Sequence, residues 1–429
     1  MMEFAIETWS REKIAAFQEM RLKEALAYVA RNSPFYQRYF SEAGISISDV
    51  ANLEDLEKLP FTTKEHLQQF NDDFLCVSPQ RVVDYATTSG TSGSPVTFAL
   101  TDADLERLAY NEAVSFECSG IEKGDVVQLM TTMDRQFMAG LAYFLGLRKL
   151  GTTVVRVGAG IPELQWDAIR RYRPAYLITV PSFLIKMMEY AEANGIDYQD
   201  SGVKGVICIG EPLRNPDFSP NNITAKIREK WDIQLFSTYA STEMSTAFAE
   251  CEYQQGGHHH PDLIIVEVVN EAGEQVGEGE TGELVITTLG VEAMPLVRFK
   301  TGDVVQAHHE PCACGRNSLR IGPVIGRKQQ MIKYKGTTLY PPAMNNLLNG
   351  FDQIKNHLIE ISVNELGTDE ILIYLAVDEP SDDFLTQIRD HFRARLRVSP
   401  RIEFLSLEEL NKRVYLPKSR KPVQFVDKR

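Results

Sequence analysis

Between residues 125 and 241, five short apolar segments alternate with helical patterns: DVVQLM, TTVVRV, AYLITV, GVICIG and IQLFSTYA. Continuous apolar runs of this kind suit strands buried on both faces. A helix between successive strands brings each new strand back in the same direction. The rhythm predicts a mostly parallel sheet covered by helices, an α/β fold.

The flanking regions read differently. Residues 10–44 carry Ile14, Phe17, Met20, Leu22, Ala25 and Tyr28 near a 3.6-residue period and predict helix. In LPFTTKEHLQQF (59–70), Thr62 or Thr63 is the candidate N-cap, with Glu65 placed for a capping box. From about 262 the chain turns β-rich, with DLIIVEVV and GELVITTL flanking a turn-forming stretch. Beyond Gly326–Arg327, HLIEISVN and EILIYLAV alternate as strands, and a helix over 382–397 aligns Leu385, Ile388, Phe392 and Leu396. The expected division is a large N-terminal domain at 1–326, with a helical start (1–80) and a β-rich part (about 250–326), and a small α+β C-terminal domain at 327–429.

The net charge of −14 argues against a nucleic-acid partner, which calls for a basic stripe. No window approaches the roughly 18 apolar residues of a membrane helix. The first residues, MMEFAIETWSREK, are mixed and charged rather than a signal peptide, so cytoplasm is the expected compartment. Six cysteines in 429 residues make no disulfide framework.

The segment YATTSGTSGSPVTFAL (85–100) offers hydroxyls and small residues that suit either a solvated turn or a cradle of amides for phosphate oxygens. It is not a Walker loop, because GxxxxGK[ST] is absent. GAGIPE (158–163) is no dinucleotide fingerprint either, since Glu163 stands where a third small residue is needed. Downstream come Gly210-Glu211-Pro212 after one strand and Tyr239-Ala240-Ser241-Thr242-Glu243 after another. Phe299-Lys300-Thr301-Gly302-Asp303, then Gly326-Arg327 with IKYKG, then LPKSRKPVQFV complete the order. Singly, each has a plain structural reading. Glu243 would sit at a helix start, Asp303 in a turn, and Tyr239 at a strand end in the core. Arg327 and Lys421 would be surface charges.

Together, this order and spacing resembles the adenylate-forming superfamily of acyl-CoA ligases, and most closely the phenylacetate–CoA ligase family. LPFTTKEHL, EAMPLVRFKTGD and GRKQQMIKYKGTTLYPPAM carry the resemblance, which extends over the chain from about residue 20. It implies an ATP-dependent, AMP-forming ligase that activates a carboxylic acid, aryl or arylacetic by family, as an acyl adenylate and passes it to coenzyme A. By the same resemblance, Thr88, Ser89, Gly90, Thr91, Ser92 and Gly93 hold the departing phosphates. Gly210, Glu211, Pro212 and Tyr239 form the adenine slot, Tyr239 by stacking, and Ala240, Ser241 and Thr242 complete the nucleotide-binding set. Glu243 orients Mg²⁺, Asp303 accepts from ribose hydroxyls with Arg327 nearby, and Lys421 serves adenylation. The small domain would be mobile, turning about residues 327–329, and a homodimer is compatible. Three positions depart from the pattern: Ser94 in place of a common Lys, Ala240 in place of Gly, and Gln329 at the usual Asp or Lys hinge. Two rival readings are a synthetase that adenylates a deazaflavin coenzyme without CoA, and a non-catalytic binding protein on a ligase scaffold.

Cys251, His258, Cys312 and Cys314 form a separate set. Four such ligands from two loops suit tetrahedral structural zinc, although C-x-C is a less common spacing than C-x-x-C, and two unrelated thiol pairs would read the same way. Some members of the phenylacetate ligase-like group share the arrangement, which favours zinc; His259, His260, His308 and His309 are the competing imidazoles. Cys76, Cys118 and Cys208 read as buried hydrophobes.

Overall fold

The computed structural model describes residues 6–88, 96–334, 337–364, 369–416 and 422–429. The calls on Ser89, Gly90, Thr91, Ser92, Gly93 and Lys421 lie outside the described residues. Two compact units emerge: residues 1–220, 224–301 and 305–323, and residues 221–223, 302–304 and 324–429.

The first unit begins with α1 (Arg11–Asn32) and α2 (Pro34–Glu42). The single helix expected over 10–44 is broken at Ser33, because the residue before a proline is pushed out of the helical region. In α3 (Lys64–Gln69), the Thr63 amide donates to His66 Nδ1 at 3.2 Å, so His66 rather than Glu65 closes the capping box. An antiparallel hairpin, β1 (Val82–Thr87) and β2 (Thr97–Thr101), leads into α4 (Asp102–Cys118).

The alternating region then unfolds in order as β3 (Val126–Leu129), α5 (Met138–Leu150), β4 (Thr153–Arg156), α6 (Pro162–Tyr172), β5 (Tyr176–Thr179), α7 (Pro181–Ala193), β6 (Gly205–Cys208), α8 (Asn222–Lys230) and β7 (Gln234–Ser241). Strands β4, β3, β5, β6 and β7 are parallel neighbours, as the apolar rhythm requires. β5 and β6 are buried along their whole length. Their side chains join Val127, Leu129, Tyr143, Leu147 and Phe236 in one core.

The sheet continues through β8 (Thr246–Ala249), β9 (Gly257–His258), β10 (Ile264–Val269), β11 (Thr281–Thr288), β12 (Phe299–His308) and β13 (Arg320–Ile321). β7, β8, β9 and β13 pair antiparallel in that order, and this change of direction builds the β-rich part.

The second unit holds β14 (Gly326–Arg327), β15 (Ile332–Tyr334), β16 (Thr337–Leu339), α9 (Pro341–Leu348), β17 (Ile354–Val363), β18 (Asp369–Val377), α10 (Asp382–Leu396), β19 (Arg401–Phe404), α11 (Leu407–Val414) and β20 (Phe425–Asp427). Its sheet runs β19-β18-β17-β20 over a core that includes Ile359, Ile371, Ile373, Ile388 and Phe392. Among the described residues, no helix is long and apolar enough to cross a membrane.

Candidate functional site

In a parallel sheet, side chains that bind ligands gather where strands end, because the loops there leave the sheet on one edge. β6 runs in register with Gln234–Ser237, the first half of β7. The second half of β7 outruns β6 and pairs instead with β8, placing Tyr239 opposite Phe248 with their rings stacked at 5.8 Å. Gly210, Glu211 and Pro212 leave β6 on this same edge, and Gly210 takes a φ of 73° that favours glycine.

After β7, the chain turns sharply. Ser241 Oγ accepts from the Met244 amide at 3.2 Å, and Ser245 adopts a left-handed φ of 49°. Ala240 is exposed, while Tyr239, Ser241, Thr242 and Glu243 are half-buried. The turn is staked by Arg107, whose buried guanidinium donates to the carbonyls of Ser245 (2.6 Å), Leu263 (2.6 Å) and Leu289 (2.7 Å) and to Thr246 Oγ1 (3.1 Å). Burial lowers Arg107 to about 10. Beneath the Gly210 turn, Arg214 Nε and Nη2 meet the Glu250 carboxylate at 2.9 and 3.2 Å, and the Ser237 amide donates to the same carboxylate at 2.8 Å. Arg107, Arg214 and Glu250 escape sequence reading, since their partners lie far along the chain.

At the neck of the hydroxyl-rich loop, Thr88 is buried and ties to Val96. Its amide donates to the Val96 carbonyl, and its hydroxyl accepts from the Val96 amide, both at 3.0 Å. Thr88 thus ties the end of β1 to the residue before β2.

In the second unit, Asp303 stands opposite Arg327 in the β12–β14 pairing. Arg327 Nε lies 3.3 Å from Asp303 Oδ1; the guanidinium is largely exposed and the carboxylate mostly covered.

Cys251, His258, Cys312 and Cys314 converge in the first unit, with all four donor atoms within 4.8 Å of one another. Among the described residues this is the one such group. Cys251 follows β8, His258 ends β9, and the other two lie in a turn where Gly315 takes a φ of 89° and its amide donates to the Cys312 carbonyl at 3.0 Å. Cys251 Sγ is 3.7 Å from Cys312 Sγ, and Cys314 Sγ is 3.5 Å from His258 Nε2. A tetrahedral ion with bonds of about 2.3 Å to sulfur and 2.0–2.1 Å to nitrogen has S–S edges of about 3.8 Å and S–N edges of about 3.5 Å. These two separations match such edges, so the donor set suits a four-coordinate ion. A hydrogen bond from Cys251 pulls the Cys314 thiol down, helped against burial by His258 and Arg316. His259 and His260 are turned elsewhere: His259 Nδ1 contacts the Leu319 carbonyl at 3.0 Å, and His260 bonds Glu7 and Ser115. Cys118 and Cys208 are buried as expected, whereas Cys76 is only half-buried.

Comparison with known proteins agrees with this architecture. Residues 32–293 match the family of AMP-binding enzymes. The chain is 33% identical to the phenylacetate-coenzyme A ligase of Thermus thermophilus over 89% of its own length and 85% of the relative's. It is 28% identical to the enzyme of the same name from Escherichia coli, over 88% and 85%. Among solved structures, it superposes on a 2-hydroxyisobutyryl-CoA ligase in the postadenylation state with a TM-score of 0.85 and 24% identity, covering 99% of this chain and 91% of that one.

Proposed function

The chain belongs to the family of AMP-binding enzymes, in its phenylacetate–CoA ligase group, and from that premise we propose that it is an ATP-dependent, AMP-forming acid–CoA ligase for an aryl or arylacetic acid. A carboxylate is a poor acyl donor because its leaving group would be oxide. Attack of the carboxylate on the α-phosphate of ATP gives an acyl adenylate and releases pyrophosphate. The thiol of CoA then displaces AMP, leaving a thioester and a proton.

The observation that carries this reading is the shared edge of β6 and β7, from which the Gly210–Pro212 turn and the Tyr239–Glu243 segment both depart. Such an edge can receive a flat base between backbone and aromatic ring. In this assignment Gly210, Glu211 and Pro212 offer backbone to adenine and Tyr239 offers its ring. Ala240, Ser241 and Thr242 face the acyl phosphate, and Thr88 with Ser89–Gly93 holds the leaving phosphates. Asp303 accepts from the ribose hydroxyls, beside Arg327. Glu243 is the residue for Mg²⁺, which would neutralise phosphate charge. The second unit turns about 327–329 between half-reactions.

Zinc is the ion proposed for Cys251, His258, Cys312 and Cys314, in a structural role: four protein ligands leave no open position for chemistry. Elemental analysis of protein purified without added metal should return one zinc per chain. Metal-free protein of equal stability would refute it.

ATP–pyrophosphate exchange over a panel of aromatic and aliphatic acids tests the main reading. Exchange with an aryl acid, and sustained AMP release only when CoA is added, is the expected result. Sustained adenylation of a deazaflavin with no need for CoA would replace it.

A further inference from the structure

We propose that Glu7 is a positioning residue for the metal at Cys251, His258, Cys312 and Cys314, so that ion binding and docking of the N-terminal segment are one coupled event. The inference rests on the zinc reading above. Three thiolates around a dication leave a surplus negative charge on sulfur, and N–H donors aimed at sulfur draw that charge off. Arg316 supplies such a donor, its Nη1 lying 3.6 Å from Cys314 Sγ. A guanidinium on a flexible stem holds that aim only if its plane is fixed from the other side. Glu7 does this: its Oε2 accepts from Arg316 Nε at 2.5 Å.

The second carboxylate oxygen of Glu7 is bonded to His260 Nδ1, and His260 Nε2 meets Ser115 Oγ on α4 at 2.8 Å. Glu7 and His260 are both buried, so the carboxylate cannot exchange these partners for water. The main chain adds a second tie. The Glu7 carbonyl accepts from the Asn317 and Ser318 amides at 2.8 and 3.2 Å. Asn317 Nδ2 donates to the carbonyls of Thr8 (3.2 Å) and Trp9 (3.1 Å). Ser318 Oγ, in turn, lies 3.4 Å from His258 Nδ1 and sets the ring so that Nε2 faces the thiolates. The segment 6–9 is therefore bound by the same turn that presents Cys312 and Cys314, through side chain and backbone at once. What stabilises the turn stabilises the segment, and the coupling is reciprocal.

The test uses the full chain. Competition with a chromophoric chelator should show Glu7→Gln, which keeps the shape and removes the charge, holding zinc about 10–100-fold more weakly, the range for loss of a partner behind a ligand. In the wild type, chelation should speed hydrogen exchange of the Asn317 and Ser318 amides and of residues 6–9 together, while β17 stays protected. This second measurement decides the matter if Glu7→Gln does not fold. Unchanged zinc affinity in a folded Glu7→Gln, or loss of protection at 317–318 with 6–9 unaffected, overturns the coupling alone. A wild-type chain that binds no zinc overturns the metal reading and the coupling together.

Discussion

The carboxylate of Glu211 accepts two hydrogen bonds from Ser182, one from the backbone amide at 2.9 Å and one from the hydroxyl at 2.6 Å. Ser182 stands in the first turn of α7, directly after Pro181. The first amides of a helix have no partner within it, and an anion is favoured at that end. Glu211 thus clamps the Gly210–Pro212 turn to the junction between β5 and α7.

Removing the clamp should loosen the turn without touching the reacting atoms. Glu211→Ala is expected to raise KM for ATP about tenfold with kcat little changed, and to cost about 1 kcal/mol of stability through the lost helix-end contact. Steady-state kinetics with varied ATP, together with denaturant melts, measure both. A fall in kcat at unchanged KM would mean that the carboxylate acts on the chemistry instead.

Glu112 is fully buried where α4 and α5 press together; a Cβ on Gly146 would stand 2.3 Å from Glu112 Cβ. Burial pushes its carboxyl up to about 8, although a hydrogen bond from Asn111 pulls slightly the other way. The folded value lies above the unfolded one, so the neutral form is favoured in the fold. The resulting stability is complete below about pH 4.5 and is lost as pH rises through 8. Glu112→Gln should therefore melt several degrees above wild type at pH 8 and close to it at pH 5. Parallel melting curves at both pH values would expose the opposite trend.

The parallel strands were legible because residues such as Val127, Ile178 and Ile207 lie in continuous apolar runs, which mark strands buried on both faces. Cys251, His258, Cys312 and Cys314 could be grouped from sequence because each is a soft or borderline ligand and the family resemblance joins the two loops, and the fold brings the four together. The partners of the buried charged residues were not legible. Glu7 finds Arg316 309 residues away, and Arg107 finds Ser245 across 138. A charged residue carries no local sign that it will be buried, since its partner is chosen by tertiary contact. The break at Ser33 was visible in Pro34, yet the apolar period runs on through it. The exchange of His66 for Glu65 reflects a helix that starts at Lys64 after Thr63.

His357 tests the second unit by itself. Its ring is buried on β17, with Nε2 donating to Asn345 Oδ1 at 2.9 Å. Burial lowers its pKa to about 4 from 6.5. The neutral ring is favoured in the fold, so its stability contribution is full above about pH 6.5 and is lost as pH falls toward 4. The loss over that window amounts to about 3 kcal/mol. Unfolding followed at the second unit should become easier between pH 6.5 and 4, and His357→Gln should flatten the slope. An equally steep fall in the variant would assign the acid sensitivity to other groups.

Lys421 lies outside the described residues, and its role is proposed from the resemblance of LPKSRKPVQFV to the last motif of the family. The chemistry states what such a lysine has to do. As the carboxylate attacks the α-phosphate, negative charge gathers on the bridging and non-bridging oxygens. An ammonium held there stabilises the transition state more than the ground state. Thioester formation proceeds from a finished adenylate and gains nothing from that charge in the same position. Lys421→Ala should therefore slow adenylation by roughly 10²–10³-fold, the scale for removal of one preorganised donor, and spare transfer from a supplied acyl adenylate to CoA. Lys418 is the neighbouring competitor, and Lys418→Ala should leave both steps within a few-fold of wild type. Single-turnover measurements of each half-reaction decide the assignment. Equal loss in both steps, or none in the first, would remove Lys421 from the mechanism.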